Sequence, residues 1–436
     1  MSVESQLRGY QAHFEAEVSD VSLDDVTAPR RARLQPAKPP TTRRIWVVVL
    51  ASALAVLVSV GGVALLVGRG EETIPVVTEP SGPDTTVVAT SGGWAQVASA
   101  DVFGTATVID GVVVGGPGFV AVGEILDADG RTMGLRGWVS SDGVDWEPIN
   151  LPSIDVAAST QTRWRLTAGP VGVMLWSIAM SEDEADSGLY FSADGYNWHE
   201  VATGPQRIYA IAASDRGFIA IADTPEGTEI LTSSDGSSWV STGGEVPGEV
   251  GRFDGVTSWD EGWVAWAWGG FDCTSVTATA CDGFWASPDG SVWTELVANA
   301  PVFEDASIWD MHEYRDELYA VGEYQAKPAA WVSADGTTWT RVFARADNLG
   351  ALWGVTAGSD MIVARGSHSE EALDRPDEIW MSTDGRNWRL IGSEDTFGTP
   401  ALRQLAVSGD RIVAGGIRDW DIWPPPPALL RWTDTE

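Results

Sequence analysis

Six aspartates stand at the same place in a short motif, Ser-x-Asp-Gly-x-x-Trp, that recurs between residues 140 and 388. A carboxylate that returns at such intervals could act as a general acid or base, or hold a cation. The residues around it favour another role, because Ser and Asp side chains bond to the backbone of tight turns and Gly accepts a positive φ. We therefore predict a structural turn at each copy and assign no catalytic residue to it. The six positions are Asp142, Asp194, Asp235, Asp289, Asp335 and Asp384.

The spacing of the motif defines a repeat, since the steps between its aspartates are 52, 41, 54, 46 and 49 residues. A short apolar run such as Phe119–Gly123 or Leu318–Gly322 lies between successive motifs and is typical of a buried strand. Another strand precedes each run, and two more flank the motif, which gives four strands per repeat. Four-stranded sheets repeated radially form a β-propeller, and we predict an all-β fold of seven blades. The centres of the first strands are predicted at Val112, Leu166, Ile211, Val256, Met311, Val355 and Leu405.

The last repeat is cut off by the C-terminus, and its missing part stands at the other end of the domain. Leu429–Trp432 begins a seventh, degenerate copy, whereas Trp94–Val97 matches the strand that follows the motif in other copies. We therefore predict that Trp94–Val97 pairs with Leu429–Trp432 and closes the ring.

The repeat resembles the Asp-box, or BNR, repeat of bacterial sialidase-like β-propellers, with a spacing one residue tighter than the usual pattern. Such repeats also occur in receptors, assembly factors and carbohydrate-binding proteins, so the resemblance implies the fold more strongly than an activity. A sialidase would need three arginines, a tyrosine paired with a glutamate, and an aspartate acid/base. The family's Arg-Ile-Pro signature is absent, because Tyr209 follows Arg207-Ile208 and Val413 follows Arg411-Ile412. We expect a non-catalytic binding module; the alternative is a glycoside hydrolase of sialidase type with an altered signature.

The resemblance also implies where a ligand would bind, on the face opposite the motif turns and near the central channel. The residues that begin the first strands mix aromatics, carboxylates and arginines, which suits the recognition of a glycan or an envelope protein. The competing interpretation is that the aromatic residues wedge neighbouring blades apart. The candidate ligand-binding residues are Asp110, Trp164, Arg165, Tyr209, Asp254, Trp309, Asp310, Trp353 and Arg403.

A membrane anchor is predicted at residues 45–67, which are 23 positions without a charge and long enough to span a bilayer as a helix. Arg43 and Arg44 precede the segment and Glu71 and Glu72 follow it, so the N-terminus is predicted in the cytoplasm and the propeller outside the plasma membrane. A cleavable signal peptide is the competing interpretation, but its apolar region should be shorter and should end in a cleavage site. The predicted parts are a mostly disordered tail (1–44), the anchor (45–67), a linker (68–93) and the propeller (94–436).

The charge of the chain argues against a nucleic-acid partner. Residues 1–70 hold eight basic and six acidic side chains, so the remaining chain carries 19 basic and 56 acidic residues, a net charge of −37, whereas nucleic-acid binding needs clustered Lys and Arg. Cys273 and Cys281 are predicted to form a disulfide within one loop, because the loop lies in an oxidising compartment. We predict no cofactor and no metal. Calcium stays an open alternative at Asp127–Gly130, a fragment of a calcium loop without its distant glutamate.

Overall fold

The computed structural model describes the part of the chain that carries the repeats. All of the described residues belong to one compact unit, Pro75–Glu436. They are residues 88–89, 93–97, 100–104, 107–127, 131–152, 154, 162–179, 188–201, 207–224, 227–244, 246, 253–260, 262–267, 283–296, 302–344, 350–367, 378–393, 396, 401–417 and 427–433.

Seven antiparallel sheets form the blades of a β-propeller, which confirms the fold predicted from the repeat. In the first six blades the strands lie side by side in chain order from the axis outward, and the seventh blade adds strands from the N-terminal end of the domain at its outer side. Each blade begins with an innermost strand. The innermost strands are β3 (Thr107–Gly115), β7 (Thr162–Gly169), β11 (Arg207–Ser214), β15 (Gly255–Trp259), β19 (Ala306–Tyr314), β23 (Ala351–Ala357) and β27 (Ala401–Ser408). Each of them contains the residue predicted as its centre.

The second strands carry the apolar runs found in the sequence, and the third strands lead into the motif turns. The second strands are β4 (Gly118–Leu126), β8 (Gly172–Ala179), β12 (Gly217–Thr224), β16 (Gly262–Ala267), β20 (Glu317–Tyr324), β24 (Ile362–Ser367) and β28 (Arg411–Ile417). The third strands are β5 (Thr132–Ser140), β9 (Leu189–Ser192), β13 (Gly227–Ser233), β17 (Gly283–Ser287), β21 (Lys327–Ser333), β25 (Glu378–Ser382) and β29 (Pro427–Thr433).

The fourth strands are short and begin at or just after the motif tryptophan, except in the seventh blade. They are β6 (Glu147–Ile149), β10 (His199–Glu200), β14 (Val240–Ser241), β18 (Thr294–Leu296), β22 (Trp339–Ala344), β26 (Arg389–Gly392) and, for the seventh blade, β2 (Trp94–Gln96). A two-residue strand, β1 (Val88–Ala89), pairs with β2, and a single helical turn, α1 (Ala100–Phe103), follows it.

The ring closes as predicted, by pairing its N-terminal strand with its C-terminal strand. Trp94 lies opposite Trp432 and Gln96 opposite Leu430, and the Val97 N–H donates to the Leu429 carbonyl at 2.9 Å. The two chain ends of the propeller are therefore held in one sheet.

Hydrophobic clusters hold neighbouring blades together. In the described part of the chain, each of the seven interfaces between blades is filled by one cluster of buried side chains. Trp138, for example, is fully buried among residues of the first and seventh blades, and its indole N–H donates to the Val102 carbonyl at 3.0 Å. The core is thus divided among the interfaces, and the axis of the ring is left for other side chains.

The motif turns adopt the geometry that their residues suggest. In the first copy, Asp142 Oδ1 accepts the backbone N–H groups of Val144 and Asp145 at 2.8 and 3.0 Å. The Ser140 hydroxyl accepts the N–H of Gly143, whose φ is 78°. The same bonds recur in the second copy, where they hold the pKa of Asp194 down at about 2. These aspartates therefore serve their own turns.

The predicted anchor (45–67), the tail (1–44) and both cysteines lie outside the described residues. Within the described ranges, no helix is long and apolar enough to cross a membrane. The anchor and the disulfide therefore stay predictions.

Candidate functional site

A cavity of about 440 Å³ lies on the axis of the ring. Residues from all seven innermost strands line it, since these strands pack side by side around the axis. In the first blade, Gly118 begins the second strand directly after the first hairpin turn, and Ser140 ends the third strand next to it. The motif turns therefore lie at the end of the ring where the first and second strands of a blade are connected. The innermost strands therefore begin at the opposite end, which we call the rim.

Five of the seven innermost strands carry a bulge at the rim. In each of them the bulged residue lies two positions before the predicted centre of the strand. The extra residue has no partner on the second strand, and it is Asp110, Tyr209, Trp309, Trp353 or Arg403. A bulge re-aims a side chain and is common next to functional sites. All five residues belong to the predicted ligand-binding set, so the departure from strand regularity coincides with the residues chosen from the sequence.

Two of the predicted residues form an ion pair across the seam between the seventh and first blades. Arg403 Nη1 donates to Asp110 Oδ1 in a short contact, with Asp110 only 2% exposed and the Arg403 side chain 26% exposed. Arg403 also lines the cavity. The pair thus connects the closure of the ring to the wall of the channel.

Other polar residues also tie blades together near the axis. The Asp310 carboxylate accepts the N–H of Met311 in its own blade and of Val355 in the next, both at 2.9 Å. Burial nevertheless raises the pKa of Asp310 to about 6. The Gln404 amide reaches over Gly111 to donate to the Leu166 carbonyl at 3.0 Å, and so crosses from the seventh blade to the second.

Two guanidinium groups in the cavity wall have few hydrogen-bond partners among the described residues. Within the described residues, neither a hydrogen bond nor an ion pair engages the Arg165 side chain, and Arg365 makes only one long contact, of 3.5 Å, to the Leu402 carbonyl. Burial lowers the pKa of Arg365 to about 10, and repulsion from Arg165 adds to the effect. Asp310 attracts both guanidinium groups, and most of their N–H donors have no hydrogen-bond acceptor among the described residues. These donors are suited to bind an anion.

Aromatic side chains occupy one side of the rim. The rings of Trp309 and Trp353 lie 4.9 Å apart between their centroids across the fifth and sixth blades, and Trp309 is 45% exposed. The Trp353 N–H donates to Ser367 at 3.1 Å, which fixes its ring. On another side, the Tyr209 hydroxyl donates to Asp223 at 2.5 Å. The exposed indole face is a surface on which a sugar ring or another flat group can stack.

The remaining predicted residues differ in environment. Trp164 is buried in the cluster between the first two blades and packs against Tyr190, which fits the wedge interpretation. Its strand carries no bulge, and Trp164 pairs regularly with Ser177. Asp254 is exposed just before its strand begins. The predicted ligand-binding set therefore contains rim residues and at least one core residue.

Three residues of the site were missed by the prediction, which considered only innermost strands at the two positions before each centre. Arg365 and Glu124 lie on second strands, and His312 follows a centre by one residue. Arg365 reaches the channel over Gly354, where an added Cβ would lie 2.9 Å from its Nε. A glycine on an innermost strand opposite a long polar residue was the available signal. Burial lowers the pKa of His312 to about 4, so its imidazole is neutral at neutral pH.

The calcium alternative falls partly outside the described residues, since 128–130 are not among them. Asp127 accepts the N–H of Arg131 at 2.9 Å. In the described ranges, no group of three or more His, Cys, Asp or Glu side chains is placed to hold a metal ion.

Comparison with known proteins finds similar solved structures at low sequence identity. No protein-family model matches the chain, and no curated protein sequence matches it. Among solved structures, the computationally designed Ika8 protein is similar over 78% of this chain and 99% of its own, with 13% identity and a TM-score of 0.44. The Trypanosoma rangeli sialidase in complex with the inhibitor DANA is similar over 66% of this chain, with 12% identity and a TM-score of 0.42.

The same sialidase as a covalent intermediate with 2,3-difluorosialic acid is similar over 68% of this chain, with 11% identity and a TM-score of 0.41. This chain covers 56% of the sialidase's length in both cases, little more than half. Such values do not indicate a shared function. The sheets of the structure itself define a seven-bladed β-propeller, and a function is inferred from the channel.

Proposed function

We propose that this protein is a membrane-anchored, extracytoplasmic binding module that holds an acidic glycan at the channel mouth without cleaving it. The observation that carries the proposal is the pair of unmatched guanidinium groups, Arg165 and Arg365, in the wall of the axial cavity. Guanidinium groups bind carboxylates through paired hydrogen bonds. They stand within a domain of strongly negative net charge, so their concentration at the axis supports a specific anion site.

The indole of Trp309 supports a saccharide as the carrier of that anion. Its exposed ring lies against Trp353 at the rim, and aromatic faces stack on the apolar faces of sugar rings. Arg403 extends the cationic wall on the other side but is already engaged by Asp110. An acidic sugar would place its carboxylate on the arginines and its ring on the tryptophan.

An array of oligosaccharides tests this proposal directly. The full chain should bind acidic glycans, such as uronic acid oligomers, and should bind their carboxyl-reduced counterparts at least tenfold more weakly. Trp309→Ala and Arg165→Met should each weaken binding by a similar factor, about 1.4 kcal/mol. Tyr196→Ala is the matched control, because Tyr196 is an exposed aromatic residue in a motif turn at the opposite end of the ring. Equal binding of acidic and reduced oligomers would contradict the proposal.

Gly354→Ala is a second variant, which displaces the guanidinium of Arg365 without removing its charge. The added methyl group would lie 2.9 Å from Arg365 Nε and 3.2 Å from its Nη2, so the guanidinium must shift. We expect weaker binding of the acidic oligomer with little change in stability, since a flexible side chain is what gives way. Unchanged affinity in this variant would exclude Arg365 from the site.

The alternative is a glycoside hydrolase, and one contact favours it. Tyr209 donates to Asp223 at 2.5 Å beside the guanidinium of Arg207, which lies 5.4 Å from the tyrosine ring. A phenol bonded to a carboxylate is an arrangement in which the oxygen can be activated as a nucleophile. Release of the aryl group from a chromogenic sialoside or another aryl glycoside, abolished by Tyr209→Phe, would establish the hydrolase and overturn the non-catalytic proposal.

The anchor is a part of the proposal that the sequence supports, through the uncharged segment 45–67 and the arginines before it. The full chain should fractionate with membranes, and a variant lacking residues 45–67 should not. Protease added to intact cells should remove the propeller and spare an epitope placed at the N-terminus. Protection of the propeller in that experiment would reverse the proposed orientation.

A further inference from the structure

Two buried carboxyl groups lie together in the first blade, beside the seam that closes the ring. Asp110 is on the innermost strand and Glu124 on the second strand, and they are 2% and 7% exposed. Val108 lies directly opposite Glu124 in the ladder, and the bulge takes Asp110 out of register just beyond it. The bulge therefore brings two acidic side chains into one buried site.

Each carboxyl group has one oxygen with a partner and one oxygen without. Asp110 Oδ1 accepts from Arg403, and Glu124 Oε2 accepts from the Thr132 hydroxyl at 3.0 Å. Asp110 Oδ2 and Glu124 Oε1 are buried and accept no hydrogen bond from the described residues. A buried oxygen without a donor is costly, and two of them in one site require an explanation.

Three cations act on the pair, but only one of them is hydrogen-bonded to it. Arg403 on β27 and Arg163 and Arg165 on β7 are the cations whose fields reach the pair. Thr132 on β5 is neutral, and Val108, which lies opposite Glu124 in the ladder, packs in an apolar cluster with Leu126 and Ala401. Of these three cations, Arg403 is the one that is hydrogen-bonded to the pair, through Asp110. Two like charges in such a site repel, and the favoured state is one in which a single group is ionised.

We propose that Asp110 and Glu124 hold one proton between them, carried on Glu124. The proton removes one of the two buried negative charges. It leaves the pair with a single negative charge, which the guanidinium of Arg403 matches.

The electrostatics agree with this geometry. Burial, together with the charge of Asp110, raises the pKa of Glu124 to about 8 against the pull of Arg403 and Arg163. Burial also raises the pKa of Asp110, but Arg403 and Arg165 oppose it more directly, so the proton stays with Glu124. A group whose pKa is higher in the folded state stabilises the fold below its unfolded pKa, and this stabilisation is lost as the pH rises towards about 8.

The shared proton also sets the net charge of Asp110, Glu124 and Arg403, which form one corner of the channel. The effect of this charge on ligand binding rests on the proposed function. With the proton present, Asp110, Glu124 and Arg403 sum to zero and Arg403 can turn part of its donor capacity to a ligand. With the proton lost, the corner carries a net negative charge and repels an acidic glycan. Binding should therefore weaken as the pH rises through about 8.

The stability of the full chain tests the proton. We would compare wild type with Glu124→Gln, which replaces the O–H donor by an N–H donor, and with Glu147→Gln, an exposed control on β6. Between about pH 5 and 8, the folding equilibrium constant of wild type relative to Glu124→Gln should fall by up to about tenfold per pH unit, the signature of one proton. The control should follow wild type. A ratio that does not change with pH would show that Glu124 is ionised in the folded protein.

Infrared spectroscopy decides the question even if Glu124→Gln does not fold. The folded wild type should show the carbonyl band of a buried protonated carboxyl group near neutral pH, and that band should vanish reversibly in alkaline solution while the protein stays folded. A folded protein without the band would overturn the proposal.

The pH dependence of binding separates this inference from the proposed function. The affinity of the full chain for a uronic acid oligomer should fall several-fold between pH 6.5 and 9, and the fall should be absent in Glu124→Gln. The same fall in both proteins would refute the coupling. An oligomer that binds at no pH would refute the proposed ligand, while the infrared band would still decide the shared proton.

Discussion

The two ends of the propeller use carboxylates in opposite ways. In the motif turns, the same aspartate accepts N–H groups from its own turn in copy after copy, and these bonds lower the pKa, to about 2 for Asp194 and Asp235. At the rim, Asp110 and Glu124 are buried and Asp310 is partly buried, and burial raises the pKa of each. One end exposes charged groups that are locally satisfied, and the other buries groups that depend on different blades.

The difference shows where the repeat stops determining the structure. A turn that satisfies itself can be copied into every blade without regard to its neighbours. A contact between blades at the axis, such as Arg403 with Asp110 or Asp310 with Val355, needs a different partner at each interface. Contacts that differ from blade to blade are therefore found at the rim.

The largest effect should come from breaking the rim ion pair. Arg403→Met leaves the Asp110 carboxylate buried without its guanidinium, and removal of one partner of a buried pair costs about 3–5 kcal/mol. Chemical denaturation of the full chain at neutral pH measures the loss. The double variant Arg403→Met with Asp110→Asn should recover much of it, because no uncompensated charge then remains. A loss below about 1 kcal/mol in the single variant would mean that the pair behaves like a surface salt bridge.

The loss of an aspartate contact at the motif end should destabilise the fold less. Asp142→Ala removes the acceptor of two backbone N–H groups in the first motif turn. Water can reach those groups, so we expect a loss of about 1 kcal/mol, as for a helix N-cap. Asp142→Asn is the matched control, since it keeps an acceptor oxygen at the same place. Equal losses in the two variants would show that the negative charge matters more than the hydrogen bonds.

Much of the fold could be predicted because its signals are local. The motif marks a turn through residues next to one another in sequence, and each predicted strand centre falls inside an innermost strand. The closure was predictable as well, because Trp94–Val97 carries the pattern that the seventh copy lacks. These signals depend on one hairpin at a time, and the same hairpin is repeated often enough to be recognised.

The residues of the rim could be predicted from the sequence, but the contacts between them could not. Counting back from the strand centres found Arg403 and Asp110, yet nothing in the sequence indicated that a bulge would pair them. The same count selected Trp164, which is a core residue because its strand has no bulge. Glu124 was missed because a second strand was not expected to face the site. Register irregularities and contacts across blades are tertiary features, and residue spacing does not encode them.

The two ends should also differ in the direction of their pH dependence. The pKa of Asp194 and Asp235 is lower in the folded protein, so the motif turns stabilise the fold above about pH 4 and lose this contribution as the pH falls towards 2. Denaturation midpoints measured across the acid range should therefore fall less steeply in Asp194→Asn than in wild type. Glu124→Gln should leave this acid limb unchanged, because its effect lies between about pH 5 and 8. An acid limb that is identical in Asp194→Asn and wild type would contradict the local role of the motif aspartate.

The smallest effect is expected from an ion pair that resembles the rim pair in chemistry but lies at the motif end. Arg386, in the sixth motif turn, donates to both carboxylate oxygens of Glu317 in the fifth blade, at 2.6 and 2.7 Å. Its side chain is 47% exposed, so solvent and salt screen the pair. A double-mutant cycle with Arg386→Met and Glu317→Gln should give a coupling of at most about 1 kcal/mol, which shrinks further at high salt. A coupling as large as that of Arg403 with Asp110 would show that the bidentate geometry outweighs burial, and the contrast between the two ends would then rest on contact geometry instead of solvent access.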